Sequence, residues 1–277
     1  MRGLAYRLLG SLADADDVVQ DAWIKWQLAD RASVASPQAW LTTVTTRLAL
    51  DRARSAPSRR EHYPGPWLPE PVVTAPSPDP AELSESLALG FLVLLEDLSP
   101  LQRAVFVLAD VFEVPFAEIA GMVGRTDAAC RQMASRARRR VSGRLPVRTG
   151  PLSERRRALD GLVAALGVGD VDSVIGQLAP DVVLVSDGGP TRRAARRPVV
   201  GDKRVARLLL NLSRRQGPDQ IALEDVVVNG EPGLLIRLGG RLDQVMVVEA
   251  DRGRVKVIRL VRNPDKLTGV GIPAELL

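Results

Sequence analysis

Cysteine and histidine are nearly missing from this sequence, which has one of each, Cys130 and His62. One cysteine cannot close a disulfide within the chain, and one cysteine with one histidine cannot build a structural zinc site. A Ser-His-Asp triad would have to use His62, which sits in a proline-rich stretch, a poor place for a fixed base. Long apolar runs are missing too, and none reaches the roughly 18–20 residues that a membrane-spanning helix needs. The opening Met1–Gly10 has no apolar h-region, and Asp14, Asp16 and Asp17 follow at once, so no signal peptide is expected. These absences set aside disulfide scaffolds, zinc proteins, His-based hydrolases and membrane proteins. The expectation is a cytoplasmic protein with no metal, no cofactor and no membrane partner.

What is present is basic and ordinarily apolar. The 277 residues carry a net charge of +5, a sequence pI of about 9.9, 45% apolar residues and 26% charged residues. That length suits two or three units, and that apolar content builds ordinary cores. A basic balance suits a polyanionic partner through phosphate contacts and counterion release, provided the charge is concentrated somewhere.

The first segment, 1–55, reads as helical. Leu4, Leu8 and Leu12 recur at helical spacing, and Asp16–Leu28 places Val18, Val19, Ala22, Trp23 and Trp26 on one face. Ser36 and Pro37 open a third helix carrying Trp40, Leu41, Val44, Leu48 and Leu50. From 56 to 82 prolines are too dense for helix and favour extended chain, so this is a linker. Its Tyr63, Trp67 and Leu68 suggest that part of it docks on something. A second helical block, 83–148, follows, with Leu83, Leu87, Phe91, Leu94, Leu95 and Leu98 on one face and a new start at Ser99-Pro100. Beyond 150 the pattern changes. Helices near 153–166 and 170–179 precede the β-branched run 181–186, and a helix is expected near 201–215. Strands are then expected at 221–228, 233–238, 244–250 and 255–261, with Asn229-Gly230 and Arg252-Gly253 as turns. Helices followed by a strand meander imply an α+β domain.

The positive charge concentrates in the second block. Phe116–Val123, a turn at Gly124, and a helix capped by Thr126 have the form of a helix-turn-helix. Ile119, Val123, Ala129, Met133 and Ala137 are expected on its buried face. Arg125, Thr126, Asp127, Arg131, Gln132, Ser135 and Arg136 are expected to face DNA, since such side chains bond base edges and phosphates and a helix fits the major groove. Between Arg125 and Arg148 lie eight arginines and one acid. A solvated basic helix end is the alternative account of that charge. Cys130 is most simply a small packed residue.

The run Gly10-Ser-Leu-Ala-Asp-Ala-Asp-Asp-Val-Val-Gln-Asp-Ala-Trp-Ile-Lys-Trp26 is an acidic helix start followed by an amphipathic helix. Acids there also complement the helix dipole. The run resembles region 2 of the extracytoplasmic-function (ECF) sigma factors, where such a stretch docks on the largest subunit of RNA polymerase. The resemblance implies Asp16, Asp17, Gln20, Asp21 and Trp23 as polymerase-binding residues. Ala39–Arg54 resembles the part of region 2 that reads the promoter −10 element, with Thr42, Thr43, Thr46, Arg47 and Arg54 as candidate DNA contacts and the loop 30–36 as a pocket for flipped bases. Block 83–148 resembles region 4, whose helix-turn-helix reads the −35 element. Family members carry several more residues before the Leu4–Leu9 stretch. Met1 here falls inside the first helix, which leaves either a misassigned start or a short, less stable first helix.

The C-terminal segment resembles a SnoaL-like (NTF2-like) cone domain, fused to one subgroup of these factors, the SigJ type. Trp67-Leu-Pro-Glu-Pro71 and Asn263-Pro-Asp-Lys-Leu267 match that subgroup. Its Asp-Gly-Gly-Gly-Lys motif is only partly kept, because Asp187-Gly188-Gly189 is followed by Pro190-Thr191. The resemblance implies regulation of the sigma regions in cis, with Trp67, Asp187, Asn263, Asp265 and Lys266 as interdomain regulatory residues and tethering as the physical route. The expected fold is therefore multidomain: two all-α sigma domains (1–55 and 83–148) and an α+β domain (150–277). The expected partners are bacterial core RNA polymerase and promoter DNA, with a small-molecule ligand possible in the concave C-terminal domain. A monomer is expected. Two other readings stay open. One is a helix-turn-helix regulator that works without polymerase. The other is a SnoaL-like isomerase or cyclase with vestigial sigma domains, using Asp187 as a general base.

Overall fold

The computed structural model describes residues 1–55, 63–74, 88–142, 151–215 and 220–270. The described residues form two compact units, one from 1–55 and 90–142, the other from 63–74, 88–89, 151–215 and 220–270. Expectations for 56–62, 75–87, 143–150, 216–219 and 271–277, including His62, Leu83, Leu87, Arg144 and Arg148, lie outside the described residues. Among the described residues no helix is long and apolar enough to cross a membrane.

The first unit is helical. Helix α1 (Arg2–Leu9) ends at Gly10, whose left-handed backbone (φ 68°) lets its N–H return to the Tyr6 carbonyl at 2.7 Å. Helix α2 (Leu12–Leu28) starts earlier than expected because the Ser11 hydroxyl caps the Asp14 N–H. Helix α3 (Pro37–Ser55) has Pro37 in its first turn and Ser36 accepting from the Ala39 N–H. After α4 (Leu89–Leu95), Ser99 and Gln102 form a reciprocal capping box on α5 (Pro100–Phe106). That helix widens into a π-helical turn, Val107–Val111. Then come α6 (Phe116–Val123) and α7 (Asp127–Ser142).

The core of this unit includes Leu8, Val18, Leu50, Val105, Leu108 and Ile119, all buried. Each such side chain contributes about 1.5–3 kcal/mol relative to an exposed one. Two arginines, Arg7 and Arg103, are buried within it. The Arg103 guanidinium donates to the carbonyls of Leu95 (2.9 Å) and Leu8 (3.0 Å) and to the Glu96 carboxylate (2.6 Å). Burial pushes its pKa down to about 10.

The second unit is a seven-stranded sheet in the order β1-β4-β5-β6-β7-β2-β3. The strands are β1 (Val73–Thr74), β2 (Leu178–Asp187), β3 (Val199–Val200), β4 (Ile221–Val228), β5 (Glu231–Leu238), β6 (Arg241–Asp251) and β7 (Arg254–Val261). Strands β4 to β7 form the expected meander. Asn229-Gly230 and Arg252-Gly253 turn with positive φ at both residues, as tight hairpins demand. The chain closes the sheet by pairing β2 parallel to β7. Helices α8 (Leu152–Val168), α9 (Val171–Gln177) and α10 (Asp202–Arg214) contribute Leu159, Leu162, Val174, Val205 and Leu209 to a core shared with the strands. This is the expected α+β class, with two differences. Leu178 and Ala179, expected in a helix, begin β2. Residues 63–74, read from the sequence as linker, belong to this unit, and β1 is its edge strand, pairing with Val227 and Val228.

Candidate functional site

The helix-turn-helix is built by Gly124. Its backbone (φ 66°) returns an N–H to Ala120, and the Arg125 N–H also reaches the Ala120 carbonyl at 3.0 Å. The Thr126 hydroxyl then caps α7 by accepting from Ala129 N–H at 3.2 Å. The buried face of α7 is Cys130, Ala134, Ala137 and Val141. Ala129 and Met133, expected on that face, are only half-buried, because α7 is rotated toward Cys130, and Val123 at the end of α6 is half-buried as well. Cys130 is the small packed residue expected. Burial and Asp127 push its thiol pKa up against the opposing pull of Arg125, which makes it a poor thiolate.

Of the DNA-facing set, Arg125, Thr126, Arg131, Gln132, Ser135 and Arg136 are exposed, and Asp127 is partly so. Asp127 holds the Arg131 guanidinium with two hydrogen bonds, at 2.5 and 3.2 Å, and that guanidinium lies 5.0 Å from the Phe116 ring centroid. The base-edge candidate is thus presented in one orientation. Arg138 is clamped by Asp110 at 2.6 and 2.9 Å, so it is a structural arginine within an otherwise outward-facing row.

On α2, Asp16, Asp17, Gln20, Asp21 and Trp23 are all exposed. Arg52 of α3 ties Asp14 (2.6 Å) and Asp17 (2.5 Å), and Arg2 ties Asp16, so the acidic face is held from behind. Ile24 and Leu28 share this surface at 50% and 82% exposure. Sequence reasoning missed both, although exposed apolar residues beside acids on an amphipathic helix were visible in the spacing.

The −10 candidates on α3 divide. Thr42 and Thr43 are partly exposed, each with its hydroxyl bonded to a carbonyl one turn back, and Arg54 is exposed. Thr46 departs from expectation. It is fully buried with its hydroxyl on the Thr42 carbonyl, because α3 packs on neighbouring helices at this position and the side chain satisfies its own polar group within the helix. Arg47 is occupied as well, donating to the carbonyls of Met122 (3.1 Å) and Gly121 (3.0 Å) at the C-terminal end of α6, where a helix dipole favours a cation. Beside the loop 30–36, Trp26 and Trp40 pack with centroids 5.3 Å apart and Arg31 lies over Trp26. Trp40 is half-buried, and Trp26 is a stacking surface that sequence reasoning did not single out.

The five regulatory candidates meet in the second unit. Asp187 is fully buried, and its carboxylate accepts from Tyr63 Oη (2.5 Å), Leu68 N–H (2.8 Å), Gly189 N–H (3.0 Å) and Lys266 Nζ (2.7 Å). Lys266 Nζ also donates to the Leu68 carbonyl at 2.5 Å and lies 4.0 Å from the Trp67 ring centroid. Asn263 donates to Tyr63 Oη at 2.9 Å and accepts from the Asp265 N–H at 3.2 Å. Burial, then Asp187, pushes the Tyr63 phenol well above its ordinary pKa. Both glycines after Asp187 are required. A Cβ on Gly188 would meet the Arg192 carbonyl at 2.4 Å, and one on Gly189 (φ 58°) would meet the Asn263 side chain at 2.5 Å. Farther along, Val72 and Asn229 exchange hydrogen bonds at 2.8 and 2.9 Å. The result is a strap, residues 63–74, pinned across one sheet face. Tyr63, Trp67 and Leu68 dock as their apolar character within a proline-rich stretch suggests, and what sequence reasoning did not give is that they dock on Asp187 and Lys266.

Asp187 pairs with Val261, whereas Ser186 pairs with Leu260, which lines the cavity on the helix side. Neighbouring strand residues point to opposite faces, so Asp187 faces the strap and away from the cavity. A saturated carboxylate on that face is not placed to act as a base on a cavity ligand.

Residues 1–59 match the family Sigma-70 region 2, and residues 89–141 match Sigma-70, region 4. The ECF RNA polymerase sigma factor SigJ of Mycobacterium tuberculosis is 40% identical, with 97% of this chain and 90% of that protein aligned. The probable ECF RNA polymerase sigma factor SigI of the same species is 31% identical over 95% of this chain and 90% of that one. The chain is an ECF sigma factor. The crystal structure of the M. tuberculosis SigJ protein superposes with a TM-score of 0.80 at 38% identity, covering 98% of this chain and 95% of that one. As a sigma factor, the chain binds core RNA polymerase and promoter DNA and serves transcription initiation. The region 2 match contains the acidic face of α2, and the region 4 match contains α6, Gly124 and all but the last residue of α7.

Proposed function

We propose that this sigma factor reads the −35 duplex with the exposed face of α7, docks on polymerase with α2, and is restrained in cis by its C-terminal domain. The carrying observation is the outward row of Gln132, Ser135 and Arg136, with Arg131 aimed by Asp127, on a helix set up by the Gly124 turn, with Arg125 exposed in that turn. Arg131 and Arg136 contact base edges or phosphates. Asp16, Asp17, Gln20, Asp21 and Trp23, extended by Ile24 and Leu28, form the polymerase surface. Thr42, Thr43, Arg47 and Arg54 serve the −10 element, Thr46 supports α3 from inside, and Trp26 and Trp40 wall a pocket for flipped bases.

Arg47 cannot contact DNA while it holds the carbonyls of Gly121 and Met122. The described packing of α3 on α6 is therefore a resting arrangement that opens when polymerase engages. The boundaries 1–55, 56–82, 83–148 and 150–277 serve as functional divisions, with the strap 63–74 as the part of the linker that the C-terminal domain grips. Gripping the segment between the two sigma regions restricts how they can be arranged, and tethering makes modest contacts sufficient. The protein acts in the cytoplasm as a monomer, without catalytic turnover.

The test is in vitro transcription with purified core polymerase on the DNA upstream of the protein's own gene. Transcripts that depend on the full chain, are reduced by Arg131→Ala and Arg136→Ala, and change when the strap is loosened by Lys266→Met support the reading. Transcripts indifferent to both arginine changes would remove α7 as the reader.

A further inference from the structure

The C-terminal unit contains a cavity of about 340 Å³ that none of the sigma functions uses. Small-molecule sites span roughly 300–1,000 Å³ and combine an apolar lining with a few convergent polar groups. This cavity has both. Its apolar wall includes Leu162 and Leu209 from the helices and Leu234, Ile236, Met246 and Leu260 from the sheet. The strand register accounts for that wall. Leu234 pairs with Met246 and Met246 with Leu260, so these side chains share one sheet face. Leu223, 47% exposed, stands at the rim and offers an apolar entrance.

The polar end comes from an irregularity. Ile236 pairs with Gln244 but Arg237 pairs with Leu242, so Asp243 is an extra residue in β6. In a regular strand Asp243 and Gln244 would face opposite ways. The bulge turns the chain locally, and both line the cavity. Arg262, just past β7, also lines it and donates to Asp243 Oδ2 at 3.0 Å and to the Arg193 carbonyl at 2.8 Å. Among the described residues its buried Nε has no acceptor. Arg192, which lines a neighbouring pocket and not this cavity, approaches the other Asp243 oxygen at 3.4 Å. The cavity's own charges, Asp243 and Arg262, pair with each other, and a buried guanidinium donor without an acceptor is costly. That donor beside the Gln244 amide favours an anionic oxygen at this end.

We infer that the cavity binds one small monocarboxylate with a hydrocarbon body. Its carboxylate sits at Arg262 and Gln244, and its chain lies among the leucines, Ile236 and Met246. The inference goes beyond the sigma reading and stands on the cavity alone. The site is one residue from Asn263, which holds the strap.

Isothermal titration calorimetry on the full chain, without polymerase or DNA, tests this with octanoate and octan-1-ol as probes. Octanoate is expected to bind one-to-one and about tenfold (~1.4 kcal/mol) more tightly than the alcohol. Arg262→Gln should erase that preference, and Met246→Trp, which fills the cavity, should abolish binding. Leu223→Asp at the exposed rim provides a second variant should the tryptophan disturb folding, and it should weaken octanoate while leaving the circular dichroism unchanged. Absence of saturable octanoate binding, equal affinity for the alcohol, or binding indifferent to both Met246→Trp and Leu223→Asp would overturn the inference. Because no transcription is measured, such a result would leave the sigma function standing.

Discussion

Two charge-rich places in this molecule, the helix α7 and the cluster at Asp187, are built in opposite ways. Around α7 the arginines stand in solvent, with Arg125 exposed in the preceding turn and Arg136, Arg139 and Arg140 exposed along the helix. On the C-terminal sheet Asp187 and Lys266 are 0% and 7% exposed, and the carboxylate accepts four hydrogen bonds from its own chain. An exposed cation is worth little to the fold, because water screens it, and it stays available to a polyanion. A buried pair is available to nothing outside, and its loss is borne entirely by the structure. Charge alone therefore identifies neither role. Solvent access decides it.

The largest test of that contrast is Lys266→Met. It leaves the Asp187 carboxylate buried without its cation, so the C-terminal unit should lose about 3–5 kcal/mol in urea denaturation. An unchanged midpoint would put the clamp on a par with the surface. Next come Arg131→Ala and Arg136→Ala, each expected to weaken −35 duplex binding by about 1–3 kcal/mol in anisotropy titrations. Their effect on stability should stay within about 0.5 kcal/mol. A comparable loss of stability would mean that α7 is structural. Asp17→Ala with Asp21→Ala should lower affinity for core polymerase while costing the fold about 0.2–1 kcal/mol through the lost Arg52 contact. Unchanged affinity would take both residues off the docking surface.

The smallest effect concerns pH. The folded state raises the Tyr63 pKa above its ordinary value of 10.0. Above that pH the unfolded chain releases a proton that the folded chain keeps, so this contribution is complete below pH 10 and declines as pH rises further. Trp67 fluorescence should report strap release at alkaline pH in the native chain, and Tyr63→Phe should flatten that dependence.

Much of this was legible beforehand where the signal is local. Gly124, Thr126, Ser36-Pro37 and the Asn229-Gly230 and Arg252-Gly253 turns act within a few residues, and each is found in its expected role. The expected helix-turn-helix and strand meander are accordingly present. On the buried face of α7, Ala137 is where it is expected, but Cys130 and Ala134 take the places expected of Ala129 and Met133, since small residues satisfy several helical phases and only the packing partner selects among them. Thr46 and Arg47 looked like their neighbours on a polar helix. Which of them is buried and which is bonded to α6 depends on what lies opposite.

By itself, the sequence determined the family, the two sigma regions, the helix-turn-helix with its basic second helix and the α+β class of the remainder. All of these rest on periodicity, caps and contiguous motifs. Only the tertiary structure decided that residues 63–74 belong to the C-terminal sheet and that Tyr63 and Lys266 meet at Asp187. It also decided that Asp187 faces away from the cavity while a bulge turns Asp243 into it. The physical reason is range. Asp187 lies 124 residues from Tyr63 and 79 from Lys266. Their meeting is set by the parallel pairing of β2 with β7 and by strand register, which a one-residue slip would reverse.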